Sequence, residues 1–336
     1  MTGSTAAAAA PVRAPARAPI RAKFDDPDWT AKGERRASVA LDRLETLWFN
    51  TGTLCNITCG HCYIESSPTN DRLAYIGPDD VRPYLDEITA LGLPTREIGF
   101  TGGEPFLNRD LAALAEMCLE RGFEVLILTN AMQPMQRPPV RRDLLALRDR
   151  FGQRLRLRVS LDHHAADLHD RERGPGSFAR TMEGLAWLVR EGFAVAVAGR
   201  TCWGEEQPAL RAGYARLFAE QGLALDAASP HALVLFPEMD ERAEVPEITT
   251  ACWGILGLHP NAMMCATSRM VVKRKGAAHA VVVPCTLLPY EARFEMGETL
   301  AQAATANGGH FDRGAVKLNH RHCAKFCVLG GGSCSA

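Results

Sequence analysis

No stretch of this chain stays apolar for the roughly 20 residues a membrane helix needs, so no transmembrane segment is expected. Charge of either sign is not in excess. The formal net charge is −1, and nothing global points to a nucleic acid or a membrane surface. Acidic residues are missing before Asp25, and so is the apolar core of a secretory signal. The first 40 residues are instead rich in Ala, Pro and Arg, as in the run Ala14–Arg21, and read as a disordered tail. Their Arg content resembles a transit peptide, but the density of Pro spoils an amphipathic helix. Cysteine is the exception to this plainness. The chain has 11, an odd number clustered at short spacings, which argues for metal sites in a reducing compartment over disulfides. A cytoplasmic location is expected.

Three of these thiols, Cys55, Cys59 and Cys62, stand at spacing C-x3-C-x2-C and are followed by Tyr63. Thiolates suit zinc or iron–sulfur centres. A closed zinc site wants four ligands. The one nearby fourth candidate is His61, and it adjoins Cys62. A four-iron cluster on three thiolates fits better, and it leaves one iron open for chemistry. A purely structural metal loop is the bland reading.

From Glu45 onward strands and helices alternate. Glu45–Thr53, Arg96–Thr101, Phe123–Leu128, Leu155–Leu161, Phe193–Gly199 and Ala232–Phe236 read as strands, with helical stripes between them such as Leu111, Leu114, Ala115 and Cys118. Strict alternation predicts an α/β fold with parallel strands and right-handed crossovers. Periodicity allows either an open barrel or a doubly wound sheet. Polar punctuation falls at the C-terminal ends of the strands, where such folds build sites. There stand Cys55, then Gly102-Gly103-Glu104, then Asn130, then Ser160 and Asp162, then Arg200.

C-x3-C-x2-C followed by an aromatic resembles the signature of the radical S-adenosylmethionine (SAM) family. The resemblance implies a partial (β/α)6 barrel and a [4Fe-4S] cluster on Cys55, Cys59 and Cys62. SAM would be chelated by the open iron and cleaved reductively to a 5′-deoxyadenosyl radical. It further implies that Glu104, behind Gly102 and Gly103, accepts from the SAM amino group. Tyr63, Asn130, Ser160 and Asp162 would line the SAM site, and Asp170–Gly174 would close it. Arg200 would hold the SAM carboxylate or simply snorkel at the rim. Cys202 could donate a hydrogen atom to a substrate radical, or be a bystander thiol. His163, His164 and His169 show no convincing metal spacing and read as a solvated loop.

Cysteine usage changes again after Thr250. Cys252, Cys265, Cys285, Cys323, Cys327 and Cys334 fall in the last stretch, with a β-hairpin between Cys265 and Cys285. This resembles the SPASM and Twitch extensions that bind auxiliary clusters. It implies one auxiliary [4Fe-4S] cluster on Cys265, Cys285, Cys323 and Cys327. Cys334 is a possible substitute for Cys323 or Cys327, Cys252 is unassigned, and a four-thiolate zinc site is the rival. The expected organisation is a tail (1–40), a barrel (41–245) and a small cysteine-rich α+β extension (246–336). The expected activity is hydrogen abstraction from a small molecule or peptide, with flavodoxin or ferredoxin as electron donor. No leader-peptide-binding domain is visible in the first 40 residues, which favours a small molecule or a peptide presented by a partner protein. The alternative is a non-catalytic iron–sulfur electron carrier or metal-stabilised scaffold, which would need neither the Gly-Gly-Glu nor the strand-end polar residues.

Overall fold

The computed structural model describes residues 22–238 and 243–332. After a short strand β1 (Ser38–Val39) come β2 (Thr46–Asn50), β3 (Glu97–Thr101), β4 (Glu124–Thr129), β5 (Leu155–Ser160), β6 (Ala194–Arg200) and β7 (Leu233–Phe236). The strands from β2 to β7 lie side by side in chain order, and every neighbouring pair is parallel. A doubly wound sheet reverses its order at a switch point. This one does not, so right-handed crossovers put the helices on one face and curl the sheet into a barrel wall. That settles the choice left open by periodicity.

The crossovers carry α1 (Pro78–Ala90), α2 (Leu111–Glu120), α3 (Gln133–Gln136), α4 (Pro138–Phe151), α5 (Ala166–Arg173), α6 (Ser177–Arg190) and α7 (Gln207–Glu220). Helix α1 has a local reason to start where it does. In α1, Pro78 occupies the first turn, where its missing N–H costs nothing, and Asp80 accepts the Gly77 N–H at 3.0 Å. Helix α6 turns Thr181, Met182, Leu185 and Leu188 to the sheet. Met182, Leu185 and Leu188 each contribute about 1.5–3 kcal/mol on burial, so a charge at Leu185 would unseat the helix. Cys118 lies in the core stripe of α2 as its spacing predicts.

The C-terminal part is less separate than expected. After α8 (Cys252–Leu256), β8 (Ser268–Val272) and β9 (Val281–Val283) form the antiparallel hairpin. But β8 also pairs in parallel with β2, placing Met270 opposite Trp48. All five residues of β8 are buried, so the extension prolongs the barrel sheet across the 245/246 boundary. Among the described residues the outer strands β7 and β9 do not pair, and the wall stays open.

The expected 1–40 tail also needs correction. Ala37 and Val39 are fully buried. Strand β1 pairs with β11 (Ala315–Lys317), which pairs with β10 (Phe311–Asp312), close to α9 (Leu300–Thr305) in sequence. Arg36 meets Glu247 at 2.6 Å, their side chains 1% and 5% exposed. Arg36 also donates to the carbonyls of Asp26, Trp29 and Leu318. Low complexity stops short of these residues, and long-range partners that the local composition does not reveal hold them. The Ala14–Arg21 run lies outside the described residues.

Candidate active site and auxiliary metal centre

The cysteine loop is laid on the end of β3. Thr51 N–H donates to Thr101 O at 2.7 Å, Gly103 N–H to Gly52 O at 2.8 Å, and Glu104 N–H to Leu54 O at 3.1 Å. The approach is so close that a Cβ at Gly103 would stand 2.1 Å from the Leu54 carbonyl. Gly102 has φ +152°, and its Cβ would meet Gly52 O at 2.5 Å. The two glycines are therefore required by the loop itself, before any ligand is considered. The loop is further tied by Cys55 N–H to Ser67 O at 3.0 Å and Gly60 N–H to Glu172 O at 2.8 Å.

One cavity of about 1140 Å³, counting its open mouth, gathers most of the singled-out residues. Cys55, Cys59, Cys62 and Tyr63 form one side, and Gly102, Gly103, Asn130, Ser160, Asp162 and Arg200 come from four successive strand ends. Glu104 and Cys202 are not part of its wall. Leu287 and Phe326 face the cavity from the cysteine-bearing C-terminal segments, and Phe326 stacks on Phe236 at 5.8 Å.

Charge in the cavity is organised by arginines. Arg173 grips Asp162 at two points, 2.7 and 2.9 Å. Burial pushes the Asp162 carboxyl up, but Arg173, with Arg200 and His169, more than reverses this and holds it below its ordinary range. Arg200 reaches Glu172 at 3.4 Å and Glu238 at 3.2 Å, and Glu172 also holds His61 Nδ1 at 2.8 Å. His61 is thus committed to α5, away from a ligand role. Arg158, buried on β5, lines the cavity as well. Sequence reading did not single out Arg158. Its signal was an Arg in register with Ser160, two residues along one strand, hence on the same face.

Do the three loop thiols suit a metal group? Burial and then Glu104 push Cys55 up to about 12. Burial also raises Cys59, with Arg173 opposing it. Such thiols stay protonated in an apolar wall unless a cation takes the proton's place, which is what an iron–sulfur cluster supplies. The donor set and its setting fit a cluster.

Glu104 is placed differently from expectation. It is 2% exposed. Its carboxylate accepts from Thr129 Oγ1 at 2.8 Å, from Asn130 N–H at 2.9 Å and from Phe106 N–H at 3.2 Å. Burial pushes it up to about 7 against those three donors. Its side chain fixes the turn after β4, and Asn130 in turn donates to Asn56 of the cysteine loop at 2.9 Å. Cys202 lies on the turn after β6, raised to about 12 by burial, in electrostatic reach of Arg200 and Glu238.

The histidines after β5 are not a solvated loop. His163 is 1% and His169 0% exposed. His163 Nε2, His164 and Glu205 come together as three metal-type groups. However, the Ala165 N–H donates to His163 Nδ1 at 2.9 Å, so the ring proton sits on Nε2 and is given to Glu205 at 2.6 Å. A ligating histidine presents a bare nitrogen to the metal and donates with the other. His163 does the reverse, and the trio reads as a latch between two loops.

Four further thiols, Cys265, Cys285, Cys323 and Cys327, line a second cavity together with His322. Cys323 and Cys327 stand on one π-helical turn, Cys323–Leu329. Burial raises Cys265 to about 11 and Cys323 to about 12. Four thiols around one space, those of Cys265 and Cys285 buried, again fit a thiolate-bound metal group. Cys252 does not line it. Its sulfur accepts the Thr249 N–H at 3.4 Å. Cys334 lies outside the described residues.

The sequence model of the Radical SAM superfamily matches residues 49–206. Residues 49–206 thus carry a radical SAM domain. The cofactors that match implies are a [4Fe-4S] cluster and SAM. The chain is 32% identical over 145 residues to the subtilosin biosynthesis protein AlbA of Bacillus subtilis, covering 43% of this chain and 30% of AlbA. It is 30% identical over 140 residues to the AdoMet-dependent heme synthase of Methanosarcina barkeri, covering 41% of the chain and 37% of the synthase. The chain thus spans about a third of the length of these relatives. The crystal structure of Streptococcus suis SuiB bound to SAM superposes with TM-score 0.57 at 12% identity, over 79% of this chain and 66% of that one. At that identity the likeness speaks for the fold. No helix among the described residues is long and apolar enough to cross a membrane.

Proposed function

We propose that this protein is an enzyme that abstracts a hydrogen atom from a small molecule or peptide and thereby oxidises or otherwise modifies it. Cys55, Cys59 and Cys62 would hold the catalytic cluster, and the cavity beside them would hold SAM. When bound, these two supply one-electron reductive cleavage and hence a hydrogen-abstracting radical. One observation carries the reading. A single cavity has the three loop thiols on one side and, on the other, residues adjoining the auxiliary thiols, namely Leu287 near Cys285 and Phe326 beside Cys327.

The chain's own residues bind, orient and exclude water. Gly102, Gly103 and Asn130 offer close backbone. Asp162, locked by Arg173, and Ser160 offer acceptors at a strand end, suited to ribose hydroxyls or an ammonium. Arg200 and Arg158 give the cavity a cationic side for a carboxylate. Phe236, Phe326, Leu287 and Tyr63 are the water-excluding part. We place an auxiliary [4Fe-4S] cluster on Cys265, Cys285, Cys323 and Cys327. The similarity to AlbA and to the heme synthase supports a peptide or small-molecule substrate. A small iron–sulfur or flavin electron carrier would supply the electron. Ten free thiols among the described residues suit the reducing cytoplasm.

The test is anaerobic reconstitution, addition of dithionite and SAM, and detection of 5′-deoxyadenosine. An intact cluster without turnover would instead support a non-catalytic electron carrier. Iron, zinc and sulfide counts of Cys55→Ala and Cys285→Ala separate one cluster from two, and iron from zinc at the second site.

A further inference from the structure

Arg269 stands second in β8 and is 2% exposed. Its guanidinium donates to the carbonyl of Cys265 at 2.6 Å, of Ser268 at 2.7 Å and of Gly314 at 3.3 Å. Among the described residues no carboxylate forms an ion pair with it. A buried guanidinium held only by carbonyls is costly, because dipoles do not neutralise a charge. Its guanidinium sits on the backbone of Cys265, and the thiolates that Cys265 and Cys285 would offer a metal lie within its electrostatic reach. Both belong to the second cavity. With protonated thiols the cation has no counter-charge, and with thiolates on a metal group it has one.

We propose that Arg269 is the built-in counter-charge of the auxiliary metal group and a positioning residue that raises its reduction potential. This rests on the reading of the second cavity as an iron–sulfur site. The physics is Coulombic. The group becomes more negative when it gains an electron, and a fixed buried cation behind its ligands favours that form. The carbonyl contacts aim the guanidinium, since Cys265 O anchors one end of it four residues from its own backbone. Arg269 cannot lose its proton under physiological conditions, so the bias is permanent.

The experiment measures the auxiliary cluster alone, in the full chain with Cys55, Cys59 and Cys62 changed to Ala. Its midpoint potential is followed by electron paramagnetic resonance during a redox titration. Arg269→Gln is expected to disfavour reduction by about tenfold or more, about 59 mV for one electron. Arg269→Lys, which keeps the charge, is expected to recover most of that shift. Arg269→Met, uncharged and of similar reach, gives the same reading as Gln if the Gln variant does not accumulate. A clamp that merely held three carbonyls would leave the potential unmoved, and would fail in Lys as in Gln. The proposal is overturned by full iron content with an unshifted potential in the neutral variants, or by a Lys variant displaced as far as they are. Failure of the underlying reading looks different. In that case the loop-cysteine variant binds no iron, and Cys285→Ala changes nothing.

Discussion

Asp162 and Arg173 are joined by two charge-assisted hydrogen bonds, 2.7 and 2.9 Å, at the wall of the cavity that holds the cysteine loop. The pair connects the end of β5 to the last residue of α5, and the backbone of the neighbouring Glu172 holds Gly60. A two-point lock of this kind fixes the orientation of the carboxylate.

Breaking that lock should be expensive. Asp162→Asn leaves the largely buried Arg173 without its carboxylate partner, with an expected loss of about 3–5 kcal/mol and weakened SAM binding. Urea unfolding of the cluster-loaded protein and SAM titration check both. The folded carboxyl lies below its ordinary value. Its contribution is therefore complete above about pH 4 and is lost as pH falls further. The Asn variant should show a flatter acid limb, and an unchanged limb would count against the pairing.

Glu104 gives the opposite pH sign. Its carboxyl is pushed up by burial to about 7, so the folded chain keeps a proton that the unfolded chain releases above about pH 4. Wild-type stability from this group is full at low pH and declines as pH rises through 7. Glu104→Gln should remove that slope. At all pH values it should also lose about 1–3 kcal/mol, because its amide cannot accept from Asn130 N–H, Thr129 and Phe106 N–H together. Denaturation midpoints between pH 5 and 8 test it.

Gly103→Ala should dismantle the loop site selectively. The added methyl has only 2.1 Å to the Leu54 carbonyl, so the cysteine loop must lift. Iron bound through Cys55, Cys59 and Cys62 should be lost while iron at the second cavity is kept. Roughly half of the total iron should therefore remain on the two-cluster reading. Equal retention at both sites would show that the close approach is not needed.

The Arg36–Glu247 pair predicts that the N-terminal segment matters for stability and not for chemistry. Burial pushes the Glu247 carboxyl up, but the Ala31 and Phe24 N–H groups and Arg36 bring it below its ordinary value. Glu247→Gln should cost about 3–5 kcal/mol in chemical denaturation. 5′-Deoxyadenosine formation per folded molecule should change little. A loss of turnover in fully folded variant would sink this division of labour.

His169 offers a further pH test. It is fully buried, its Nδ1 accepts the Asp162 N–H at 3.2 Å, and burial together with Arg173 lowers it to about 4. The unfolded ring takes up a proton below about pH 6.5 and the folded one does not. Stability should fall as pH drops from 6.5 towards 4. His169→Gln should flatten that interval in pH-dependent melting curves.

The sequence by itself determined whatever is encoded within a few residues. Three thiols in an eight-residue span from Cys55 to Cys62 declare a metal loop. Strand–helix alternation declares parallel α/β structure, and strand-end polar residues must share one rim because parallel strands end on one side. Contacts between distant residues were decided only in three dimensions. Whether the strands run in chain order or reverse is a matter of packing, invisible to periodicity. The pairing of β8 with β2 joins residues more than two hundred apart. Glu104 reads as a ligand group, and only the fold shows that Thr129 and Asn130 donate to it. Arg36 reads as tail until Glu247 meets it, and Arg269 reads as one more strand residue until the carbonyl of Cys265 accepts its guanidinium. A buried charge takes its meaning from its partner, and only the folded chain brings the partner there.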